Sequence, residues 1–349
     1  MTKTINSRNV HEAFILGVDA FTWDGDVQEQ DSRAGATLEF DGPVVTTYEK
    51  PCERVLFWEG RDANPFFHFM EGLWMLQGRE DVEFLAHYNK GMEAFSDNGF
   101  TLNGAYGYRW REFYEKGQLD VVVKRLRNNP DDRRCVVAMW ECNNDLDRDT
   151  LDTPCNTHIY FKVRNNRLNM TVCCRSNDMI WGAYGANAVH FSMLQEYMAA
   201  RIGVEVGVYN QVSDSFHVYT ELFNSMKEKL PEFDYYTFKY PMVGNPYKTI
   251  SVFPMVNDPE EFDGDLDAFF RGQKNGFANH FFSDVAIPMQ TAWDMHKLDK
   301  NTRGAISLLN SFCKAEDWKI ACVEWLERRL KGREEVKDTE AVIGETNVK

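Results

Sequence analysis

The sequence predicts an α+β fold, a large mixed β-sheet flanked by helices, on three observations. Strand-like and helix-like segments mix without the regular βαβ alternation of a parallel sheet. The 349 residues are 43% hydrophobic and 14% aromatic, which suits a sizeable core rather than a disordered chain. From about residue 240 a Pro/Gly-punctuated, aromatic stretch leads into two helical patterns, which predicts a helical C-terminal extension.

Each element has a local reason. Residues 31–50 read as two short strands around Asp41-Gly42-Pro43. Residues 64–78 read as a helix, with Pro65 in its first turn, apolar residues at helical spacing and Gly78 as its stop. Glu71 sits inside this otherwise apolar segment. A second, amphipathic helix follows to about residue 95. Residues 121–129 predict a helix and 133–141 a buried strand. Strands at 158–163 and 167–175 flank the turn Arg164-Asn165-Asn166. Residues 187–203 form the clearest helix, with Val189, Met193 and Tyr197 on one stripe and Gly203 at the end. Residues 206–219 begin as a strand and lead into a helix. Two helices are expected near 303–314 and 316–331, before a polar tail.

Composition narrows the function classes. The net charge is −15, with 54 acidic against 39 basic residues, so a nucleic-acid backbone is not an expected partner. A small anion remains compatible, because a few converging arginines oppose the global field locally. No apolar run reaches the roughly 18–20 residues of a membrane span. The opening segment lacks a secretory pattern, and a cytoplasmic protein is expected. The eight cysteines form no C-x-x-C pair and no zinc-like spacing with histidine, so reduced thiols and no metal are expected. Each is first of all a small core residue.

Polar side chains gather at a few places. Arg175, Ser176, Asn177 and Asp178 crowd a strand end ahead of a loop with Gly182 and Gly185, where ligand-binding side chains often sit. Asp178 is equally a helix cap. Arg33, the turn Asp131-Asp132-Arg133-Arg134 and the run 213–219 complete the set.

The order of the segments decides. "SRAGATLEF", "FMEGLWMLQG", "NGAYGYRWRE", "DDRRCVVAMW", "DTPCNTHIYF", "CCRSNDMIWGAYGAN" and "SDSFHVY" together resemble the thymidylate synthase superfamily, over roughly residues 30–222. That superfamily includes deoxycytidylate and deoxyuridylate hydroxymethylases, many from bacteriophages. The resemblance implies a thymidylate synthase-like catalytic domain over 1–240; the final third does not share it and is expected to be an extension over 241–332 packed on the same domain, followed by a polar, mobile tail over 333–349. It implies a homodimer using 5,10-methylenetetrahydrofolate as co-substrate.

The resemblance also implies roles. Cys155 matches the nucleophile that adds to C6 of a pyrimidine. Arg175 and Ser176 match the phosphate site, with Arg33 and, from the partner subunit, Arg133 and Arg134. Glu71 matches the carboxylate that organises water and proton transfers, Tyr106 an active-site tyrosine, and Asp178 an aspartate of the folate and nucleotide site. Asn187 matches the amide that reads the base, with His190 and Tyr184 as further candidates, and His217 and Tyr219 match the pair on the sugar 3′-hydroxyl. The chemistry requires these types: C5 is a poor nucleophile until a thiolate adds at C6, and Arg175 is the expected source of the field that favours the thiolate.

Three departures bear on the product. Met92 stands where the synthases carry a tryptophan over the one-carbon unit, the closing apolar tail is replaced by the extension, and Asn156 follows the cysteine in place of histidine. The first two favour water over hydride as the final acceptor partner, hence a 5-hydroxymethyl nucleotide that serves as a modified DNA precursor. A longer loop before Asn187, Asn156 and the extension favour dCMP slightly over dUMP, although an asparagine suits either base. The alternatives are a thymidylate synthase with an unusual C-terminus and, more remotely, a non-catalytic nucleotide- or RNA-binding relative.

Overall fold

One face of a long sheet supports the site, and alternating burial along its strands sets that face. The structure is a computed structural model describing residues 1–32, 35–230 and 245–346, with side chains to residue 332. In chain order the elements begin with β1 (Lys3–Ser7), α1 (Val10–Trp23), β2 (Val27–Ser32), β3 (Gly35–Phe40) and β4 (Val44–Tyr48). Then come α2 (Pro65–Gln77), α3 (Val82–Tyr88), α4 (Tyr106–Arg111), α5 (Gln118–Asn128), β5 (Val136–Ala138) and α6 (Cys142–Asp145). The central strands β6 (Asn156–Arg164), β7 (Arg167–Asp178) and β8 (Glu205–Tyr219) enclose α7 (Asn187–Ile202) in sequence. The remaining helices are α8 (Thr220–Lys227), α9 (Phe262–Phe270), α10 (Ile287–Lys297), α11 (Thr302–Phe312) and α12 (Glu316–Thr346).

The sheet runs β1-β4-β8-β7-β6-β5, with β3 on the far end of β8 and β2 outside it. β1–β4 and β7–β8 are parallel and the other pairs antiparallel, so the sheet is mixed as expected. The β6–β7 hairpin turns at Asn165 and Asn166, whose φ values of 51° and 57° match the left-handed pair of a type I′ turn. The helix at α2 has its Asn64 cap on the Phe67 amide and Gly78 at φ 79° as its stop.

Several elements differ from expectation for physical reasons. β3 and β4 do not pair with each other across Asp41-Gly42-Pro43; each pairs with a different stretch of β8. The strand expected over 133–141 shrinks to Val136–Ala138. Gln118 brackets it, donating to and accepting from Ala138, and the Met139 and Trp140 amides both turn onto the Thr157 carbonyl, which ends the ladder. β8 stays extended through Tyr219, so the change to helix falls after the run 206–219. β1, α1, β2, α9 and α10 have no counterpart in the sequence reading.

α7 is buried on nearly every side, which is why its apolar positions exceed one stripe. The segment beyond 245 packs on α2. Phe66 lies against Trp293 and Trp325, and Phe69 against Phe281 and Trp318. Every residue of α2 except Gln77 is buried as a result. Glu196 of α7 ties the two parts further: it pairs with Arg54 and accepts the Met255 amide at 2.7 Å. The boundary expected at 333 falls inside α12. Among the described residues no helix is long and apolar enough to cross a membrane.

Candidate active site

β7 and the turn before β6 bring the polar residues together. Cys155 immediately precedes β6, and its carbonyl accepts the Arg175 amide at 2.8 Å, across from the end of β7. Tyr106, the first residue of α4, is buried with its hydroxyl oxygen accepting the amides of Cys155 (3.1 Å) and Asn156 (3.2 Å). The Cys155 turn is thus fixed from behind by a phenol. Arg175 fixes it from the side, donating to the carbonyls of Pro154 (2.9 Å) and Thr153 (3.1 Å) and stacking over Trp140.

A cavity of about 330 Å³ opens onto this turn. Cys155, Glu71, Tyr106, Ser176, Asp178 and Asn187 all line it. So do Trp74, Met92, Phe95 and Trp181, which make its walls largely apolar. Six of the residues singled out in the sequence therefore converge on one pocket.

Details of the polar end are set by local structure. Asp178 ends β7 and caps the following turn through the Trp181 amide, so it is the cap that the sequence allowed. Its other oxygen, Oδ2, is buried without a hydrogen-bond partner, and burial pushes its carboxyl up against the pull of His217 and Arg61. Residues 179–186 form a turn that kinks at Tyr184 and Gly185, whose backbone leaves the helical region, before α7 begins at Asn187. Asn187, the first residue of α7, lines the cavity. Asn187 is held in a carboxamide chain: its Oδ1 accepts Asn156 Nδ2 at 3.2 Å and its Nδ2 donates to Asn177 Oδ1 at 3.1 Å. Gly182 is required beneath it, since a Cβ there would lie 2.7 Å from Asn177 Oδ1.

Glu71, at the middle of the apolar α2, faces His190 of α7, with Oε2 3.0 Å from Nε2. The contact lacks hydrogen-bond geometry, so both groups keep unspent hydrogen-bonding capacity in a buried place. His190 lines the cavity; Tyr184 does not, because its hydroxyl meets Thr46 Oγ1 at 2.9 Å in the core. His68, beside Glu71, is a buried histidine whose pKa burial drives well down, as a core residue.

Other expected residues stand apart from the cavity in the single chain. His217 pairs across the sheet with Asp178, has its Nδ1 3.2 Å from Ser215 Oγ, and meets Tyr219 edge-on, so both flank the pocket without lining it. Arg133 and Arg134 are exposed at the edge beside β5, with Arg134 bound to Asp132. Arg33 lies outside the described residues. The expected thiolate-favouring field needs correction. Burial raises the Cys155 thiol above its ordinary value; Arg175 pulls it down and Asp152 pushes it up, and burial wins. The reason is that the Arg175 guanidinium is turned onto backbone carbonyls rather than the sulfur.

Asp152, Trp181 and Phe95 are pocket residues that the sequence reading did not single out. Asp152 had a signal, three residues ahead of Cys155 in the same quoted segment. Among the described residues no group of three or more His, Cys, Asp or Glu could hold a metal ion.

A mixed sheet that carries a cysteine and an asparagine to one apolar-walled pocket, with an arginine holding the cysteine turn beside it, fits the thymidylate synthase class of enzyme fold. The chain belongs to the thymidylate synthase family, whose model matches residues 65–249. It is 45% identical over 342 residues, 94% of both chains, to a protein of Pseudomonas phage M6 named deoxyuridylate hydroxymethyltransferase. A protein of the same name from Bacillus phage SP01 is 42% identical over 191 residues, 51% of this chain and 50% of its own. A thymidylate synthase of Corynebacterium aurimucosum is 30% identical over 173 residues, 47% of this chain and 63% of its own.

Proposed function

We propose that the chain transfers a one-carbon unit to C5 of dUMP and completes the reaction with water, giving 5-hydroxymethyl-dUMP. The observation that carries this reading is the Pseudomonas phage M6 relative, matched along 94% of both chains and named for that reaction. The match includes the extension, so the extension does not argue for cytosine. The dCMP preference drawn from the sequence gives way to uracil on that ground, and the neutral Asn187 supports it: its amide can donate to O4 and accept from N3–H.

The pocket suits the co-substrate 5,10-methylenetetrahydrofolate. Trp74, Met92, Phe95 and Trp181 offer flat apolar walls for its rings, and the orphaned Asp178 Oδ2 is an acceptor for a ring N–H. When bound, it supplies one carbon at the oxidation level of formaldehyde. The residues of the chain then divide the work. Cys155 Sγ adds to C6 and makes C5 nucleophilic, while Tyr106 holds the turn and keeps a proton to move. Glu71, against His190, takes part in proton transfer at the base. Arg175 and Ser176 hold the phosphate, and His217 and Tyr219 the sugar hydroxyl. Met92 leaves the one-carbon unit less covered than an indole would.

Arg133 and Arg134 complete the phosphate site from the partner in a homodimer. The sheet face away from the helices supports this, with half-buried Val206, Val208 and Val212 beside exposed Tyr160 and Val136. The phage origin of the relatives supports the host cytoplasm as the place where the enzyme works.

Incubating the protein with methylenetetrahydrofolate and an equal mixture of dUMP and dCMP, then identifying products by mass, tests the reading. Hydroxymethyl-dUMP is the expected product. Predominant hydroxymethyl-dCMP refutes the base assignment, and dTMP refutes the final step.

A further inference from the structure

The pocket holds a second carboxylate beside the nucleophile. Asp152 stands three residues before Cys155 and lines the same cavity, near Met92, Phe95 and Leu102. Its Oδ2 accepts the Gly104 amide at 2.7 Å, and Asn103 Nδ2 holds its backbone carbonyl at 3.2 Å. No hydrogen bond reaches Oδ1 among the described residues. Gly104 makes this seat: a Cβ there would lie 2.8 Å from Oδ1 and 3.0 Å from Oδ2. A carboxylate with one oxygen anchored and the other bare, in a cavity with apolar neighbours, binds water.

We propose that Asp152 is the base that orients and deprotonates the water adding to the exocyclic methylene of the nucleotide. This rests on the hydroxymethylase reading. The step balances within the pocket. The water oxygen bonds to the methylene carbon as its proton passes to Asp152 Oδ1. The electron pair of the methylene double bond shifts through C5 onto the C4 carbonyl oxygen. Collapse of that enolate restores C5=C6 and expels the Cys155 thiolate, and the proton on Asp152 returns to solvent or to the thiolate. Placement favours Asp152 over Glu71 for this role. Glu71 is 7% exposed and faces His190, whereas Asp152 is half-buried and shares the cavity lining with Phe95, itself half exposed. Burial also raises the Asp152 carboxyl, with Asp97 and Glu71 adding to the push and Gly104 and Arg109 opposing it, which makes it a stronger base than a free aspartate.

Asp152→Asn separates this role from a structural one in a single turnover with excess enzyme, tritiated at C5 of dUMP. Tritium release reports every step up to the methylene, and hydroxymethyl product reports its hydration. The expected result is release within about two-fold of the parent and product slower by about a hundred-fold. Added 2-mercaptoethanol should then capture the methylene as a thioether of defined mass. Asp152→Ser, checked by thermal melting and dUMP binding, gives the same readout if the asparagine variant does not fold. Release and product falling together, or neither changing, overturns the proposal. Thymidylate from the parent enzyme in the same assay instead removes the hydroxymethylase reading, and the proposal with it.

Discussion

Cys155 shows how a residue's surroundings decide its chemistry. Burial raises its thiol while Arg175, tied to two carbonyls, opposes the rise only in part. Because the thiolate is the reactive form, alkylation by iodoacetamide should accelerate with pH through a midpoint above that of a free cysteine, and Arg175→Ala should move the midpoint higher still. A midpoint below the free value contradicts this. Replacement of Cys155 by alanine should lower turnover by about a thousand-fold or more while leaving the melting temperature near that of the parent. At the base, Asn187→Asp introduces an acceptor that repels O4 and suits N4–H. Its kcat/KM for dUMP should fall by about ten-fold or more relative to dCMP, measured with both nucleotides in competition. These roles differ in how far the sequence reveals them. Cys155, Asn187 and Glu71 stand in segments whose order carries the family resemblance. Asp152 stands in one of those segments too, but its meaning depends on Gly104 folding back from forty-eight positions earlier in the chain, which no local pattern announces.

At the scale of elements, the site depends on α2 and α4 crossing closely. Gly107 of α4 leaves no room for more: a Cβ there would lie 2.0 Å from the Met75 carbonyl oxygen. Gly107→Ala should cost roughly 1–3 kcal/mol or more by forcing the helices apart. It should also slow catalysis beyond its effect on stability, because Glu71 and Tyr106 ride on the two helices. Denaturant melts alongside kinetics measured well below the midpoint distinguish these effects. The start and stop of α2 and the stop of α7 were legible in the sequence because Pro65, Gly78 and Gly203 act locally. The short β5 was not, since its C-terminal end is set by Gln118 and by the Thr157 carbonyl, both distant in sequence. β1 and α1 escaped notice for a related reason. β1 finds its partner only when β4 arrives parallel to it some forty residues later.

For the whole molecule, the extension is a wall of the catalytic domain rather than an appendage. Trp293, Trp318 and Trp325 cover the face of α2 opposite the pocket, and the buried Arg54–Glu196 pair receives the Met255 amide. Glu196→Ala strands Arg54 and should destabilise by about 3–5 kcal/mol, seen as a lower denaturation midpoint. The sequence located helices in this region but could not say what they cover, because the contacts join residues more than two hundred positions apart. The second global feature is the proposed sharing of the site between two subunits. Mixed dimers of Cys155→Ala and Arg134→Ala chains should recover activity that neither variant has alone, and verified mixed dimers without recovery contradict the crossing of Arg134. What completes the transfer at C5 is tested directly by running the reaction in ¹⁸O-labelled water. The expected product from dUMP carries one solvent ¹⁸O in its 5-hydroxymethyl group and appears together with tetrahydrofolate. Unlabelled thymidylate appearing with dihydrofolate would contradict the account.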